Sequence, residues 1–525
     1  MKALAGALAS AVLFGAAARV QGGSWMAALV ALSPWLFGLE RAGARAALGS
    51  AVVLAASVTA LAFFWLPPAV AAYAHVSLAQ AWIWSLALSP LLLQPQFLAA
   101  AACLLLARRL AASRMASAAI MGLGYVGAEW AFAKPLADTL GIGLFPSPAL
   151  RQVAEVAGQG GLTLLCFALS ACIAAAVSLR KWAPAAAALA VAAVAVAGGA
   201  LRLRQVEARD RAAPTAHAGV VQAAITAYDK LAAEQGTYET VRQILDAHFA
   251  LSEQVLAEGP VDLLVWPETV YPTTFAAPKS DDGAALDQEI ATFAARAGVP
   301  LIFGAFEDTA AGEHNAAFFL QPDGRFVTYR KSLLFPLTER MPPWLDHPAV
   351  RAALPWAGRW APGPGPSAVP LRLRDGSTLR IAPLICYEAV HGGYAAQEAR
   401  AGADLLLTLS NDAWFTGAAG PRLHLAAAAL RSVELRLPQI RATNSGISAL
   451  ILPTGELVSP TRFGARAALR LGFPRLAPSW TPVLAFGDWL GPASALACAL
   501  LLAYLFASAR LLATQPQPDA AGRAR

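Results

Sequence analysis

The sequence predicts a polytopic α-helical membrane protein that carries one large α/β domain outside the cytoplasm. Three observations predict this fold class. First, 57% of the 525 residues are hydrophobic and only 14% are charged, whereas soluble domains are usually about 45–50% apolar and about 25% charged. Second, long apolar runs fill the N-terminal part and return near the C-terminus. Third, charges, prolines and turn residues are concentrated between Arg202 and residue 475. These features exclude a water-soluble protein and a disordered chain, and five cysteines are too few for a disulfide-stapled scaffold.

Eight apolar runs predict transmembrane helices. A spanning helix needs about 20 mostly apolar residues, because each adds about 1.5 Å across a hydrocarbon core of about 30 Å. The runs are 3–20, 24–39, 46–66, 81–107, 116–133, 162–179, 184–201 and 492–512. We therefore predict a seven-helix transmembrane domain (1–205), an extramembrane domain (214–475), a C-terminal transmembrane helix (492–512) and a cytoplasmic tail (513–525).

The basic residues between these helices predict the orientation. If the N-terminus is cytoplasmic, the inside segments hold Lys2, Arg41, Arg45, Arg108, Arg109, Arg114, Arg180, Lys181, Arg510, Arg523 and Arg525. The short outside loops hold only Arg19, Lys134 and Arg151. This asymmetry follows the positive-inside rule, so both termini are expected in the cytoplasm and the domain outside it. In the alternative, residues 1–20 form a cleavable signal peptide, but removing that helix spoils the charge alternation.

Net charge does not indicate a nucleic-acid partner. The formal charge is +7, but the basic residues lie at helix ends and form no patch with interleaved aromatic residues. We expect no nucleic-acid binding and no metal site, because the histidines lack ligand spacing. No cofactor is expected either, since nucleotide-binding loops are absent from the sequence.

Between the helices, the pattern is typical of a layered α/β domain. Short apolar runs predict strands at 218–225, 261–265, 299–304, 315–320, 379–385, 403–409 and 447–452, with a further strand ending near Tyr329. Helical stretches at 231–257, 284–297 and 421–436 separate some of them. Pro322-Asp323-Gly324 and Pro453-Thr454-Gly455-Glu456 predict hairpin turns.

Three reactive side chains follow predicted strands of this domain. Cys386 is the only cysteine outside the predicted membrane helices, and it comes directly after the strand 379–385. Glu268 follows the strand 261–265, and Lys331 follows the strand that ends near Tyr329. Strand ends in α/β sheets commonly present reactive groups. Each residue also has an ordinary structural explanation: a buried thiol, a helix-initiating acid and a surface lysine.

The stretches around these residues resemble a known family. Trp-Pro-Glu-Thr at 266–269, Tyr329-Arg330-Lys331 and Cys-Tyr-Glu at 386–388 resemble the Glu–Lys–Cys signature of the nitrilase (carbon–nitrogen hydrolase) superfamily. With the helices on either side, the chain resembles the apolipoprotein N-acyltransferase family. Further similar stretches are 336–342, 411–415 and 441–446. The resemblance implies a nitrilase-like αββα sandwich on the periplasmic side of the bacterial inner membrane.

The resemblance also implies a reaction. Cys386 is the implied nucleophile that takes an acyl chain from a phospholipid as a thioester, Glu268 the implied general base and Lys331 the implied oxyanion-stabilising cation. The implied acceptor is the N-terminal amine of diacylglyceryl-cysteine in an apolipoprotein. Glu339, Tyr387 and Glu388 match supporting positions, and the protein is expected to act as a monomer. Alternatives are a membrane-anchored amidase, a transferase with a different acceptor and a non-catalytic binding protein.

Several positions are open or depart from the family pattern. Ser410, Asn411, Trp414, Arg441 and Asn444 are either structural or line the site. The segments 333–335 and 341–345 are candidates for insertion into the bilayer. Departures occur at Lys230-Leu231, at Thr416, at Leu423-His424 and after Phe145-Pro146. They spare the three reactive residues, so they bear on the acceptor more than on the reaction type.

Overall fold

The computed structural model describes residues 1–132, 134–136, 139–225, 238–477 and 479–514. An N-terminal helical bundle is completed by a C-terminal helix, and an α/β domain lies between them in sequence. The helices of the bundle are Lys2–Ala17, Trp25–Val30, Ser33–Leu39, Ala44–Ala62, Leu66–Ala74, Leu78–Leu88, Pro95–Arg109, Arg114–Ala131, Ala154–Leu179, Ala183–Ala212 and Leu490–Thr514.

Five helical segments within the described ranges are long and apolar enough to cross a membrane, or six if the bent pair Leu66–Ala74 and Leu78–Leu93 counts as one span. Their outward faces carry large apolar side chains: Leu189 and Val194 are each 72% exposed, and Leu496 is 61% exposed. Exposed apolar faces of this extent are typical of contact with lipid.

The prediction of one helix over 81–107 is wrong. The helix Leu78–Leu88 passes into a short π-helical segment, Ser89–Leu93, and a separate helix begins at Pro95. Gln94 between them has non-helical backbone angles, because a proline restricts the residue before it and has no N–H to donate. The run 24–39 likewise divides into two helices, and Pro34 lies in the first turn of the second.

The α/β domain contains two sheets. The first consists of β1 (Thr215–Gln222), β2 (Leu263–Val265), β3 (Tyr271–Thr274), β4 (Leu301–Thr309), β5 (Gly312–Leu320), β6 (Phe326–Arg330) and β13 (Ala467–Pro474). The second consists of β7 (Val369–Arg372), β8 (Thr378–Ile385), β9 (Leu405–Ser410), β10 (Gln439–Thr443), β11 (Ala449–Ile451) and β12 (Leu457–Val458). The strand orders are β13-β1-β2-β4-β5-β6, with β3 beside β4, and β12-β11-β10-β9-β8-β7.

The two sheets pack face to face, with helices on both outer faces. Val265 and Phe319 of the first sheet share a buried core with Ile381 and Leu407 of the second. Two helices, Tyr238–Glu258 and Asp281–Ala297, cover the first sheet, and Gly392–Arg400 and Ala419–Leu435 cover the second. Shorter helices are Pro348–Ala353 and Pro482–Phe486. The αββα layers predicted for this domain are therefore confirmed.

Most predicted elements of the domain are present. Each predicted strand run contains a strand, and both predicted turns connect antiparallel neighbours: β5 to β6 and β11 to β12. The predicted helix over 231–257 is present from Tyr238, and its first residues lie outside the described ones. The strands β3, β7, β10, β12 and β13 were not predicted from the sequence. β10 was missed because Gln439 and Arg441 break its apolar pattern, although both are fully buried.

Candidate active site

The two sheets bring the three predicted reactive residues to one end of the sandwich. Glu268 follows β2 and Lys331 follows β6 in the first sheet, whereas Cys386 follows β8 in the second. Glu268 and Lys331 are 4% and 1% exposed, and Cys386 is partly exposed. The carboxylate and the ammonium are thus withdrawn from solvent beside a thiol that a substrate can approach.

Glu268 is held by hydrogen bonds to both oxygens of its carboxylate. Its Oε1 accepts from Lys331 Nζ at 3.2 Å and from Asn315 Nδ2 at 2.7 Å, and its Oε2 accepts from the backbone N–H of Asn411 at 2.8 Å. Gly304 permits this position, because a Cβ there would lie 2.4 Å from the backbone nitrogen of Thr269. A carboxylate fixed in this way presents a set geometry to a proton donor.

Lys331 lies between two carboxylates. Besides Glu268, its Nζ donates to Oε1 of Glu339 at 2.7 Å, and Oε2 of Glu339 accepts from the backbone N–H of Phe335 at 2.6 Å. Burial by itself lowers the pKa of Lys331, but Glu268 and Glu339 raise that pKa well above its usual value. Lys331 is therefore a permanent cation next to the thiol.

Cys386 has a strained backbone at the start of a 3-10 turn, Cys386–Val390. Its φ of 49° lies in the left-handed region, which side chains other than glycine adopt at a cost that is typical of functional sites. Burial, and next the negative charge of Glu268, raise the pKa of the thiol, and Lys331 opposes them. The resting group is therefore a neutral thiol that requires a base before it can attack.

Glu388 connects the Cys386 turn to the segment after Lys331. Its Oε2 accepts from the backbone N–H of Ile385 at 2.8 Å, and its Oε1 accepts from the backbone N–H groups of Ser332 at 2.7 Å and Leu333 at 3.2 Å. These bonds leave its carboxylate facing backbone rather than the reacting centre. Among the predicted supporting residues, Glu388 is thus placed as a positioning group and Glu339 as a partner of Lys331.

A second polar cluster supports Cys386 from the other side. His424 Nε2 donates to the backbone oxygen of Cys386 at 3.2 Å, and its Nδ1 lies 3.1 Å from Oδ1 of Asp412. Arg441 and the Ser410 hydroxyl also donate to Asp412, at 3.1 Å and 2.8 Å. Despite burial, Arg441 and His424 lower the pKa of Asp412 to about 2, so this carboxylate remains charged.

An apolar pocket opens beside Cys386. Its walls include Trp65 and Leu136 from the bundle, and Phe335, Tyr387, Trp414 and Phe415 from the α/β domain. The rings of Trp414 and Phe415 stack 3.7 Å apart, and Trp65 meets Phe415 edge-on at 5.0 Å. Tyr387 donates its hydroxyl to the Lys134 backbone oxygen at 3.1 Å. The pocket therefore requires both parts of the chain.

The open candidates and the departures lie at different places in the molecule. Asn411 and Trp414 lie at the site, whereas Ser410 and Arg441 act through Asp412. Asn444 bonds to the backbone of Ile225, and its Nδ2 donates to Oδ1 of Asn411 at 3.2 Å, so it supports the residue whose N–H holds Glu268. His424 contacts the Cys386 backbone, and the Lys230-Leu231 departure lies outside the described residues. Asn315 was missed, because nothing in its strand sequence distinguishes it until pairing places it against Glu268.

Metal coordination finds no support in the described part of the chain, where no group of three or more histidine, cysteine or acidic side chains is placed to hold an ion. The polar groups near Cys386 instead pair with one another. The groups that the site presents to a substrate are a thiol, a fixed carboxylate and a buried ammonium.

The chain is similar in sequence to known proteins. The carbon–nitrogen hydrolase family model matches residues 217–466. An apolipoprotein N-acyltransferase of Sinorhizobium medicae is 32% identical over 70% of this chain and 69% of its own length, and one of Pseudomonas putida is 32% identical over 69% and 68%. Another, of Bdellovibrio bacteriovorus, is 33% identical over 46% of this chain and 45% of its own length. The chain belongs to the apolipoprotein N-acyltransferase family.

Proposed function

We propose that this chain transfers an acyl chain from a membrane phospholipid, through a thioester on Cys386, to the N-terminal amine of diacylglyceryl-cysteine in apolipoproteins. The observation that carries the proposal is the apolar pocket beside Cys386, which is built jointly by the bundle and the α/β domain. A hydrolase of small soluble amides has no need of a pocket that is lined in part by residues of the membrane bundle. An acyl donor held in the bilayer requires one.

In the first half-reaction, Glu268 takes the proton of the Cys386 thiol as the sulfur attacks the ester carbonyl of the lipid. The carbonyl oxygen becomes an oxyanion that the Lys331 ammonium stabilises. Collapse of this intermediate breaks the ester C–O bond, and Glu268 returns the proton to the leaving lysophospholipid oxygen. The raised pKa of Cys386 fits this order, because the proton has to be removed during attack.

In the second half-reaction, the amine of diacylglyceryl-cysteine attacks the thioester carbonyl. Glu268 accepts the amine proton, Lys331 stabilises the second oxyanion, and the C–S bond breaks to return the Cys386 thiol. Splitting the transfer into two steps replaces one difficult displacement by two that use the same oxyanion partner. Glu268 passes the amine proton to the Cys386 sulfur, and the acyl ester of the phospholipid supplies the driving force for forming the amide, so the reaction needs no external energy source.

For the membrane arrangement, we propose eight crossings with the α/β domain in the periplasm and both termini in the cytoplasm. Arg108 donates to the backbone oxygens of Leu39 and Glu40 at 3.0 Å and 2.9 Å, so the basic helix ends gather on one side. Trp65, just after the helix Ala44–Ala62, lines the pocket on the opposite side. The fourth crossing is then Pro95–Arg109, and the bent pair before it turns back near the outer surface.

Exposed aromatic residues support this placement. Trp130 and Phe132, at one helix end, are 49% and 50% exposed, and Trp480 and Phe486, just before the last helix, are each 69% exposed. Aromatic side chains are enriched at both membrane–water interfaces. Trp344, within the candidate segment 341–345, is 79% exposed, whereas Met341 is buried.

One chain supplies both the reactive residues and the pocket, which supports action as a monomer.

A two-step transfer assay tests the proposal. The purified chain is acylated with a phospholipid, separated from lipid and mixed with a diacylglyceryl-cysteinyl peptide. We expect the peptide to gain one acyl chain that resists hydroxylamine, as an amide does, while the protein returns to its original mass. Discharge to water alone, with the peptide unchanged, would instead indicate a membrane-anchored amidase or a different acceptor. An N-acetylated peptide is the matched control, because it has no free amine.

A further inference from the structure

We propose that Glu398 is a positioning residue that shares one proton with Glu388 through the hydroxyl of Tyr329, and that this shared proton holds the Cys386 turn in register with Lys331. The inference rests on the proposed function, because the acyl transfer supplies its main readout. It concerns a buried group behind the reacting centre that the two half-reactions do not use.

Tyr329 lies at the centre of a buried cluster. Its hydroxyl oxygen is 3.0 Å from Oε2 of Glu388, 2.9 Å from Oε1 of Glu398 and 2.7 Å from the hydroxyl oxygen of Tyr394. The two glutamates have no exposed surface, Tyr329 is 2% exposed and Tyr394 is 8% exposed. Three oxygen contacts therefore converge on one phenol in a region without solvent.

The number of hydrogen atoms in this cluster limits which of the three oxygen contacts can be hydrogen bonds. A tyrosine hydroxyl donates one hydrogen bond and accepts two. If both carboxyl groups were ionised, Tyr329 could donate to only one of them, and the other would face an oxygen lone pair at 3.0 Å or less. Buried polar groups without a partner are costly. One of the two carboxyl groups therefore carries a proton and donates to Tyr329.

The other contacts identify which carboxyl holds that proton. Glu388 accepts from three backbone N–H groups, those of Ile385, Ser332 and Leu333. The positive charge of Lys331 also stabilises the ionised form of Glu388. Glu398 accepts from one backbone N–H, that of Ser367 at 2.8 Å. The proton therefore resides on Glu398. Tyr329 then donates to Glu388 and accepts from Glu398 and Tyr394, which uses its full hydrogen-bonding capacity.

The pKa values of the pair agree with this assignment. Burial raises the pKa of Glu388 to about 7 and that of Glu398 to about 8. The groups that face the pair are Tyr329 and Lys331 from β6 and its end, and Tyr394 from the same helix as Glu398. Both tyrosines have pKa values raised by burial, and Lys331 stays protonated. Glu388 has the lower pKa of the pair and ionises first, so Glu398 is the group that loses its proton as the pH rises past about 8.

Loss of that proton has a mechanical consequence. Two carboxylates would then compete for the single Tyr329 hydrogen, and their repulsion would act on Glu388. Since Glu388 bonds to Ile385 on one side and to Ser332 and Leu333 on the other, its displacement changes the separation between Cys386 and Lys331. We expect acylation to fall as the pH rises past about 8, before Lys331 titrates.

The main experiment follows the rate of acyl-enzyme formation from a phospholipid in detergent micelles between about pH 6 and about pH 9.5. This half-reaction contains no amine acceptor, so acceptor titration does not contribute. We expect the wild-type rate to fall about tenfold from its maximum at the alkaline end, and Glu398→Gln to keep its rate there. The glutamine amide donates to Tyr329 and its carbonyl accepts from Ser367, as protonated Glu398 does. Glu253→Gln, a surface carboxylate, serves as control.

Two results would overturn the proposal. One is an alkaline decline in Glu398→Gln that superimposes on that of the wild type. The other is a Glu398→Ala variant that matches the wild type at every pH, because alanine cannot replace the hydrogen bond. If Glu398→Ala does not fold, Glu398→Gln alone decides, and its thermal unfolding midpoint at neutral pH should equal that of the wild type.

A second readout does not depend on the acyl substrate. Alkylation of Cys386 by iodoacetamide, followed on the peptide that contains it, reports the surroundings of the thiol. We expect the wild-type rate to break from its trend above about pH 8 and the Glu398→Gln rate to follow one trend throughout. If the two alkylation curves differ in this way but no acyl-enzyme forms with any phospholipid, the positioning role is supported and the proposed function is contradicted. Superimposed alkylation curves would contradict the positioning role whether or not acyl transfer occurs.

Discussion

The polar and apolar walls of the candidate site differ in origin. The polar wall consists of Glu268, Lys331 and Glu339, all from the α/β domain, and hydrogen bonds of 2.6–3.2 Å hold it. The apolar wall joins Trp65 and Leu136 of the bundle to aromatic side chains of the domain, and van der Waals contact holds it. The first wall is complete within one domain, whereas the second exists only where the domain meets the bundle.

This difference separates reaction type from substrate choice. A base, a cation and a thiol activate a carbonyl whatever chain it carries, so the polar wall accounts for acyl transfer in general. The apolar wall restricts that chemistry to a carbonyl whose chain leaves water for an apolar pocket. Changes to the polar wall should therefore affect every substrate, and changes to the apolar wall should affect long-chain lipids most.

The largest effect is expected from Glu268→Gln. The amide keeps the shape of the carboxylate but cannot take the Cys386 proton. Because Lys331, Asn315 and the Asn411 N–H all donate to this position, the NH₂ group of the glutamine would also face a donor. We expect acyl-enzyme formation to slow by about 10²–10⁴-fold for long- and short-chain donors alike, as measured by intact mass in single-turnover reactions. Glu313→Gln, a surface carboxylate paired with Lys279, is the control. A loss confined to long-chain donors would contradict the division between the walls.

Lys331→Met should have the next largest effect. The variant removes the oxyanion partner and leaves Glu268 and Glu339 without the cation between them, so both half-reactions should slow, by about 10²–10³-fold each. Separate rate measurements of acylation and of discharge to the peptide amine test this. If only one half-reaction slowed, Lys331 would not be the oxyanion partner common to both.

Phe415→Ala tests the apolar wall. The variant removes the ring stacked on Trp414 and the edge contact with Trp65; each aromatic pair is worth about 0.5–1.5 kcal/mol beyond burial. We expect acylation by a long-chain phospholipid to weaken about tenfold in kcat/KM, and acylation by a short-chain ester to change much less. Phe326→Ala, a half-exposed phenylalanine on β6, should leave both substrates unaffected. Equal losses for both substrates would mean that Phe415 supports Cys386 rather than the lipid.

Asp412→Asn should affect stability more than chemistry. The pKa of Asp412 is lowered to about 2 by Arg441 and His424, against an ordinary value of about 3.9. A depressed folded-state pKa contributes stability that is present above about pH 4 and is lost as the pH falls toward about 2. Thermal unfolding in detergent should show a gap between wild type and Asp412→Asn at neutral pH that narrows below pH 4. A gap independent of pH would contradict the charge-based account.

The sequence predicted the polar wall better than the apolar wall. Glu268 and Cys386 each follow a short apolar run, Lys331 follows the strand that ends near Tyr329, and the face-to-face packing of the two sheets brings these strand ends together. Trp65 could not be placed, because hydropathy shows that a helix is apolar but not which domain surface meets its end. Asn315 and the Glu398–Tyr329 contact depend on strand register and on the packing of one helix, which span long sequence separations. Hydropathy alone also joined the two helices that Gln94 separates.

Acyl transfer through Cys386 is tested most directly by the intact mass of the detergent-purified protein after incubation with a phospholipid, measured beside Cys386→Ala. We expect the wild type to gain the mass of one acyl chain that hydroxylamine removes, and the variant to gain none. An adduct that persists in Cys386→Ala, or a wild-type protein that gains no mass with any phospholipid, would contradict a thioester on Cys386 as the intermediate.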